Sequence, residues 1–186
     1  MDESALLARV ARARSGDAEA QGELFEAFRS DVTRLCRRLL ASREDAEDAV
    51  QETFWRLRQG VTSYDPSRPF RRWLLALAAH QAIDRLRRHR REQRLFDGEE
   101  HASLQADGGE LPLAGELRAE RRRQVLAAID ALPDRYRAPL VLRYYADLDY
   151  AAIGEVLGVD ANQVATLLHR GRRRLRAALA PPGEHT

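Results

Sequence analysis

The sequence predicts an all-α protein: two small helical domains, residues 1–94 and 118–180, joined by a flexible acidic linker at 95–117 and followed by a tail at 181–186. Three observations predict it. Apolar residues recur at three- and four-residue intervals through both halves, and no stretch alternates with the two-residue period of a strand. Residues 94–117, "RLFDGEEHASLQADGGELPLAGEL", interrupt that periodicity with four glycines, a proline and many acids. Formal charge partitions at the same place, +4 over residues 1–94, −6 over 95–120 and +4 over 121–186.

A short helix is expected at residues 3–14. Asp17 can cap the next, whose apolar positions Leu24, Phe25, Phe28, Val32, Leu35 and Leu39 fall on one face. Cys36 sits at an apolar position of the same helix; as the sole cysteine it excludes an intramolecular disulfide and a CxxC zinc site. Ser42 followed by Asp45 resembles a capping box and opens a third helix that ends near Gly60. "GVTSYDPSRP", residues 60–69, holds two prolines and several turn formers and reads as a loop. From Phe70 a long pattern runs through Trp73, Leu74, Leu77, Ile83 and Leu86 into "RRHRR". Beyond the linker come Val125, Ile129 and Leu132, after which Pro133 starts a new segment. Pro139 is too deep for a first turn and predicts a kink or a restart. Two shorter helices follow, at about 149–157 and 161–179.

Composition narrows the function classes. No apolar run approaches the roughly 20 residues needed to span a bilayer, and the N-terminus lacks the apolar stretch of a signal peptide. A cytoplasmic protein without membrane insertion is expected. There is no lysine, so all 31 basic residues are arginine, whose planar fork suits phosphates, guanine edges and carboxylates.

On a helical wheel of about 100° per residue, "REDAEDAVQETFWRL" (43–57) divides cleanly. Ala46, Ala49, Val50, Thr53, Phe54 and Leu57 share one arc; Glu44, Asp45, Glu47, Asp48, Gln51 and Glu52 share the opposite one, with Trp55 among them. A solvated face accounts for the acids but not for the tryptophan. A helix-borne carboxylate metal site lacks its histidine, since none occurs between residues 1 and 79, and no other catalytic constellation is present. No enzyme, metal, cofactor or small-molecule substrate is therefore expected. A docking surface, an aromatic anchor within a charged rim, accounts for both features. Glu52 and Arg56 are spaced for an i,i+4 pair, leaving the other acids freer to meet a basic partner.

Six arginines fall between Arg85 and Arg94, a density that favours contact with a polyanion because like charges at i,i+4 repel. Near the C-terminus, "LDYAAIGEVLGVDANQVATLLHRGRRRLRAAL" has the pattern of a helix-turn-helix. Ile153, Val156 and Leu157 form an apolar set, Gly158 supplies the turn, Val159 packs inside it, and Asp160 caps a second helix with Val164 and Leu168 inward. Its exposed early positions are Ala161, Asn162, Gln163, Ala165, Thr166 and His169. Asn and Gln can bond adenine bidentately and a threonine methyl can touch thymine. Gln163 also stands where a capping box would use it. Arg170, Arg172, Arg173, Arg174 and Arg176 are suited to phosphates.

The order of these parts resembles the extracytoplasmic-function group of bacterial sigma factors, the promoter-recognition subunits of RNA polymerase. The matching residues are "DAEDAVQETFWRL" (45–57), "FRRWLLALAAHQAIDRLRR" (70–88), "ALPDRYRAPLVLRYY" (131–145) and "DYAAIGEVLGV…VATLLHRGRRRL" (149–175). The resemblance implies a sigma region 2 bundle that docks on core polymerase and handles the −10 element, and a sigma region 4 helix-turn-helix that reads the −35 element. It implies that Asp45, Glu47, Asp48, Gln51 and Glu52 meet the clamp helices of the largest polymerase subunit, with Trp55 as the anchor. It places Tyr64, Asp65, Ser67, Phe70, Arg72, Trp73, His80, Asp84, Arg87, Arg88 and Arg91 near the −10 DNA. A base flipped from the non-template strand would be captured by the loop at 60–69, with Tyr64 and Phe70 as stacking surface. It places Ala161, Asn162, Gln163, Thr166, His169, Arg170, Arg172, Arg173 and Arg174 at the −35 DNA. It also implies contact with the flap of the second largest subunit, an acidic linker lying in the polymerase's nucleic-acid channels, and control by an anti-sigma factor.

Two departures stand out. His80 replaces the asparagine usual in the family near the −10 DNA. The recognition helix reads Gln163-Val164-Ala165-Thr166-Leu167 where a pattern like T-V-K-S-R is common, so two basic contacts are missing. Weaker −35 binding, or reading through Asn162, Gln163 and Thr166, is expected. The small number of aromatics near the −10 region predicts limited melting power. The competing reading is a stand-alone helix-turn-helix regulator that binds duplex DNA without polymerase.

Overall fold

The computed structural model describes residues 3–96 and 116–180. The described residues form α1 (Glu3–Arg14), α2 (Ala18–Leu39), α3 (Arg43–Gly60), a 3-10 turn (Val61–Ser63), α4 (Phe70–Phe96), α5 (Glu116–Asp130), α6 (Asp134–Tyr144), α7 (Tyr150–Leu157) and α8 (Ala161–Leu179). No strand occurs among them. The expected linker at 95–117 falls mostly outside the described residues, as does the tail.

The first domain is a bundle in which α2, α3 and α4 pack on one another and α1 lies along α2. Its helix starts follow the capping chemistry of the sequence. The Asp17 carboxylate accepts from the Ala20 N–H at 3.0 Å, and Ser42 Oγ accepts from the Asp45 N–H at 3.2 Å. Leu24, Val32, Leu35 and Leu39 of α2 are buried against Ala46, Ala49 and Leu57 of α3 and Leu74, Leu75, Ala78, Ala79 and Ala82 of α4. Each buried leucine contributes about 2 kcal/mol by removal from water. The alanines on α3 and α4 leave room for close packing. Cys36 is inside this core, and burial pushes its thiol up to about 12, so it stays protonated.

In the second domain α6, α7 and α5 all pack on α8. α6 runs through Pro139 without a restart. The donor that proline lacks would have served the carbonyl of Arg135, an exposed residue. Gly158 adopts φ +61, the left-handed conformation that ends α7 and turns the chain into α8. Gly171 lets α8 sit against α6, since a Cβ there would lie 3.1 Å from Leu140 Cδ1.

No described helix is long and apolar enough to cross a membrane. The two domains touch where α6 meets α2 and α7 meets α4.

Candidate functional site

The acid face of α3 is displayed much as the wheel requires. Glu44, Glu47, Gln51 and Trp55 are exposed, and Asp48 and Glu52 are half-exposed. Trp55 keeps 52% of its surface in solvent. Its ring is covered on one side by the Arg56 guanidinium, 5.6 Å from the centroid, while Arg56 Nε bonds Glu52 at 2.9 Å. A shallow depression beside the ring is lined by Gln21, Trp55, Arg58 and Gln59. Arg43, bonded at 2.8 Å, holds the Glu47 carboxyl below its ordinary value. Asp45, expected among the docking acids, is largely turned from solvent. Its side chain is only 18% exposed, with His89 Nε2 at 2.9 Å and Arg85 Nη1 at 3.5 Å. Lying at the edge of the acid arc next to α4, it braces α3 to α4, and Arg85 extends the brace to Asp48 at 3.1 Å. Four of the acids, Asp45, Glu47, Asp48 and Glu52, thus already hold a basic partner on the chain, and of these Asp45 is the least exposed.

The loop at 60–69 begins with the 3-10 turn and is pinned by its own polar groups. Asp65 accepts from the Ser67 N–H at 2.9 Å and the Ser67 hydroxyl at 2.8 Å, which lowers the Asp65 carboxyl's pKa. The Tyr64 hydroxyl donates to the Arg68 carbonyl. Tyr64 and Phe70 were expected to offer their faces to an extruded base, but each is only 3% exposed. They are consumed in an aromatic cluster: Tyr64 meets Phe70 edge-on at 5.3 Å and Trp73 at 5.2 Å, and Phe28 meets Phe70 at 5.5 Å. Of this cluster, Phe28 and Trp73 reach the surface in part.

Along α4, Trp73, His80, Asp84, Arg87, Arg88 and Arg91 fall within about 60° of one line and make a stripe about 27 Å long. Its lower half is polar and largely exposed. His80 Nδ1 lies 2.9 Å from the Ala76 carbonyl. A carbonyl only accepts, so Nδ1 carries a proton, and in the neutral ring Nε2 is left as an acceptor. Beside the stripe a groove of about 490 Å³ is lined by Glu52, Arg56, Gln81, Asp84, Arg85, Arg88 and Arg91. Arg88 has no ionic partner among the described residues, and Arg91 Nε donates only to the Arg87 carbonyl at 3.4 Å.

In the C-terminal pair of helices, Asp149 caps α7 through the Ala152 N–H at 2.9 Å, and Asp160 caps α8 through the Gln163 N–H at 2.8 Å. Only the backbone of Gln163 is used in the cap; its side chain is exposed and makes no hydrogen bond among the described residues. Thr166 Oγ1 donates to the Asn162 carbonyl at 3.0 Å, so its hydroxyl is spent on its own helix. Asn162, Thr166, His169 and Arg173 lie along one exposed line, flanked by Gln163 and Arg170. Arg174 stacks on Tyr136, 4.9 Å from the ring centroid.

Arg72, together with residues not singled out by sequence, joins the two domains. Arg72 Nη2 lies 2.5 Å from Asp149 Oδ2, and the Ala152 N–H together with Arg72 depresses the Asp149 carboxyl. Arg90 lies 2.5 Å from Asp134, which also holds Arg137. Arg71 reaches Asp31 at 2.7 Å and the Tyr145 carbonyl at 3.3 Å. Arg137 is 3% exposed and donates to the carbonyls of Leu39 and Asp130, with its Nε unpartnered. No group of His, Cys, Asp and Glu among the described residues is placed to hold a metal.

Comparison with known proteins points one way. The Sigma-70 region 2 family matches residues 24–92, and the Sigma-70 region 4 family matches residues 122–175. The chain is 33% identical over 178 residues to the ECF RNA polymerase sigma factor SigW of Bacillus subtilis (strain 168), covering 92% of this chain and 95% of that one. It is 34% identical over 166 residues to the ECF RNA polymerase sigma factor SigE of Mycolicibacterium smegmatis, covering 88% of this chain and 63% of that one. Among solved structures, CnrH in complex with the cytosolic domain of CnrY superposes with a TM-score of 0.55 at 24% identity, over 92% of this chain and 94% of that one. The sigma factor RpoE in complex with the anti-sigma factor NepR from Bartonella quintana superposes with a TM-score of 0.61 at 17% identity, over 84% of this chain and 96% of that one.

Proposed function

The chain belongs to the extracytoplasmic-function group of RNA polymerase sigma factors, and from that premise we propose how its surfaces divide the work. It binds core RNA polymerase and directs transcription initiation. It acts in the cytoplasm and catalyses no reaction of its own. Residues 1–94 carry core docking and the −10 element, 95–117 tether the halves, and 118–180 carry the −35 element and meet the flap of the second largest subunit.

Docking centres on Trp55, framed by Glu47, Asp48, Gln51 and Glu52, against the clamp helices of the largest subunit. A half-exposed tryptophan costs solvent-facing apolar area until a partner covers it, and the surrounding carboxylates favour a basic one. The exposure of Trp55 on the acid face is the observation that carries this assignment. At the −10 element the stripe on α4 supplies phosphate contacts through Arg87, Arg88 and Arg91, and His80 offers Nε2 as an acceptor to a base amino group. The loop's Asp65 and Ser67 lie exposed beside partly exposed Trp73, while Tyr64 and Phe70 hold the loop's shape from beneath. At the −35 element Asn162, Gln163 and the Thr166 methyl face base edges, and Arg170, Arg172 and Arg173 face phosphates. An anti-sigma factor, the class of partner bound by RpoE of Bartonella quintana, is proposed for this chain also.

Run-off transcription with purified core enzyme, on promoters selected from a genomic library, tests the whole reading. Specific initiation that depends on this chain, and that weakens with Trp55→Ala, is the expected result. Tight, specific binding of duplex DNA without core polymerase would instead favour a stand-alone regulator.

A further inference from the structure

We propose that the groove between α3 and α4 is a phosphate-binding site, and that α3 itself supplies one of its ligands, Arg56. Arg56 has no part in the division of surfaces given above, in either docking or DNA contact. The groove, of about 490 Å³, has the size of a small-ligand site. Glu52 and Arg56 line it from α3, and Asp84, Arg85, Arg88 and Arg91 line it from α4.

Four guanidinium groups thus share one space with two carboxylates, and both carboxylates are engaged. Glu52 holds Arg56 Nε at 2.9 Å, and Asp84 lies 3.5 Å from Arg87. Arg85 is answered by Asp48 at 3.1 Å and Asp45 at 3.5 Å. What remains is positive and unspent. Arg88 has no hydrogen-bond or ionic partner among the described residues. Arg91 gives only Nε, to the Arg87 carbonyl at 3.4 Å. Arg56 uses only Nε, so its two terminal nitrogens make no hydrogen bond among the described residues. Arg88 and Arg91 stand one turn apart on α4, where like charges repel, and an anion between them removes that repulsion.

The donors define the ligand. A guanidinium presents parallel N–H groups that match pairs of phosphate or carboxylate oxygens. One such fork satisfies a planar carboxylate, whereas forks converging from two walls suit a tetrahedral group with several terminal oxygens. A free polyphosphate and the backbone of a nucleic-acid strand both offer that group. The Arg56 guanidinium lies 5.6 Å from the centre of the Trp55 ring, so drawing it into the groove changes the surroundings of the indole.

The test follows tryptophan fluorescence of the full chain at physiological ionic strength, titrated with inorganic tripolyphosphate and, separately, with a short single-stranded oligothymidylate. A saturable change is expected with at least one probe, and it should vanish in Trp55→Phe, which leaves Trp73 as the remaining tryptophan. Arg56→Gln and Arg88→Gln should each weaken binding about tenfold, the loss of a charge-assisted hydrogen bond. Arg88 has no partner on the chain to lose, so Arg88→Gln should melt with the wild type and keeps the test valid if Arg56→Gln loosens α3. Arg170→Gln, an equal change of charge on α8, should leave the response unmoved. A response to tripolyphosphate makes a free polyphosphate sufficient, and a response to the oligonucleotide alone assigns the groove to a strand phosphate. No Trp55-dependent response to either probe overturns the proposal, and so does a response that survives both Arg56→Gln and Arg88→Gln. Neither polymerase nor promoter enters the measurement, so failure of the sigma-factor reading would appear separately, as absence of core binding.

Discussion

On α4, Arg71, Arg72, Arg85, Arg87 and Arg90 each lie within ion-pair distance of a carboxylate, whereas Arg88 and Arg91 meet none among the described residues. On α8, Arg170, Arg172, Arg173 and Arg176 meet no carboxylate among the described residues, and Arg174 leans on Tyr136. Two helices rich in the same residue therefore stand in different states toward a polyanion. An unpaired arginine gives its phosphate contact directly, whereas a paired one must first surrender a partner, so its net contribution is smaller and depends on conformation. Sequence density of arginine alone does not distinguish the two cases.

The largest effect should come from the arginine that is paired most completely. Arg137→Met removes a buried guanidinium that bridges Asp134 and the carbonyls of Leu39 and Asp130, and should cost about 3 kcal/mol in urea unfolding. Burial lowers the Arg137 pKa, so desolvation is already working against its charge, and a loss well below 1 kcal/mol would mean the side chain is dispensable. Next comes the acid face. Trp55→Ala should weaken core binding by about 2 kcal/mol or more, read by fluorescence anisotropy against purified core enzyme. Asp45→Asn should lower the melting temperature through the lost brace to Arg85 and His89 while changing core affinity far less. Equal losses of core affinity in both variants would return Asp45 to the docking surface.

Much of the fold is legible in the sequence because local chemistry decides it. Asp17, Ser42, Asp149 and Asp160 each accept a backbone N–H at a helix start, and Gly158 takes the left-handed turn that only its lack of a Cβ makes easy. The helix-turn-helix follows from these signals at their spacing. What the sequence conceals is which polar side chains meet across the bundle. Asp45 belongs to the acid arc by its wheel angle, yet Arg85 and His89, forty and more residues away, turn it inward. Tyr64 and Phe70 look available as stacking surface because loops are usually exposed, but four aromatics from α2, the loop and α4 bury one another. Pro139 reads as a breaker, and α6 passes through it because only one carbonyl, at an exposed residue, loses its donor.

The contrast between the helices sharpens in salt dependence. Arg170→Ala should flatten the slope of −35 duplex binding by up to roughly one unit, whereas Arg87→Ala in the isolated chain should change the slope of DNA binding by less, because Arg87 already engages Asp84 and the Val156 carbonyl. Equal slopes would remove the distinction between paired and unpaired arginines.

The smallest effect is the most local. Thr166 gives its hydroxyl to the Asn162 carbonyl, which leaves the methyl as the outward group on the exposed line of α8. Thr166→Ser keeps the hydroxyl bond and deletes only that methyl. Discrimination between thymine and uracil at the contacted position should therefore shrink by a few tenths of a kcal/mol, below the roughly 0.8 kcal/mol of a fully buried methylene because the contact is half open to water. Competition binding with duplexes carrying uracil in place of thymine reads the difference directly. If the substituted protein discriminates as well as the original, Thr166 does not touch the thymine methyl, and base reading on α8 falls to Asn162 and Gln163, whose side chains the structure leaves exposed.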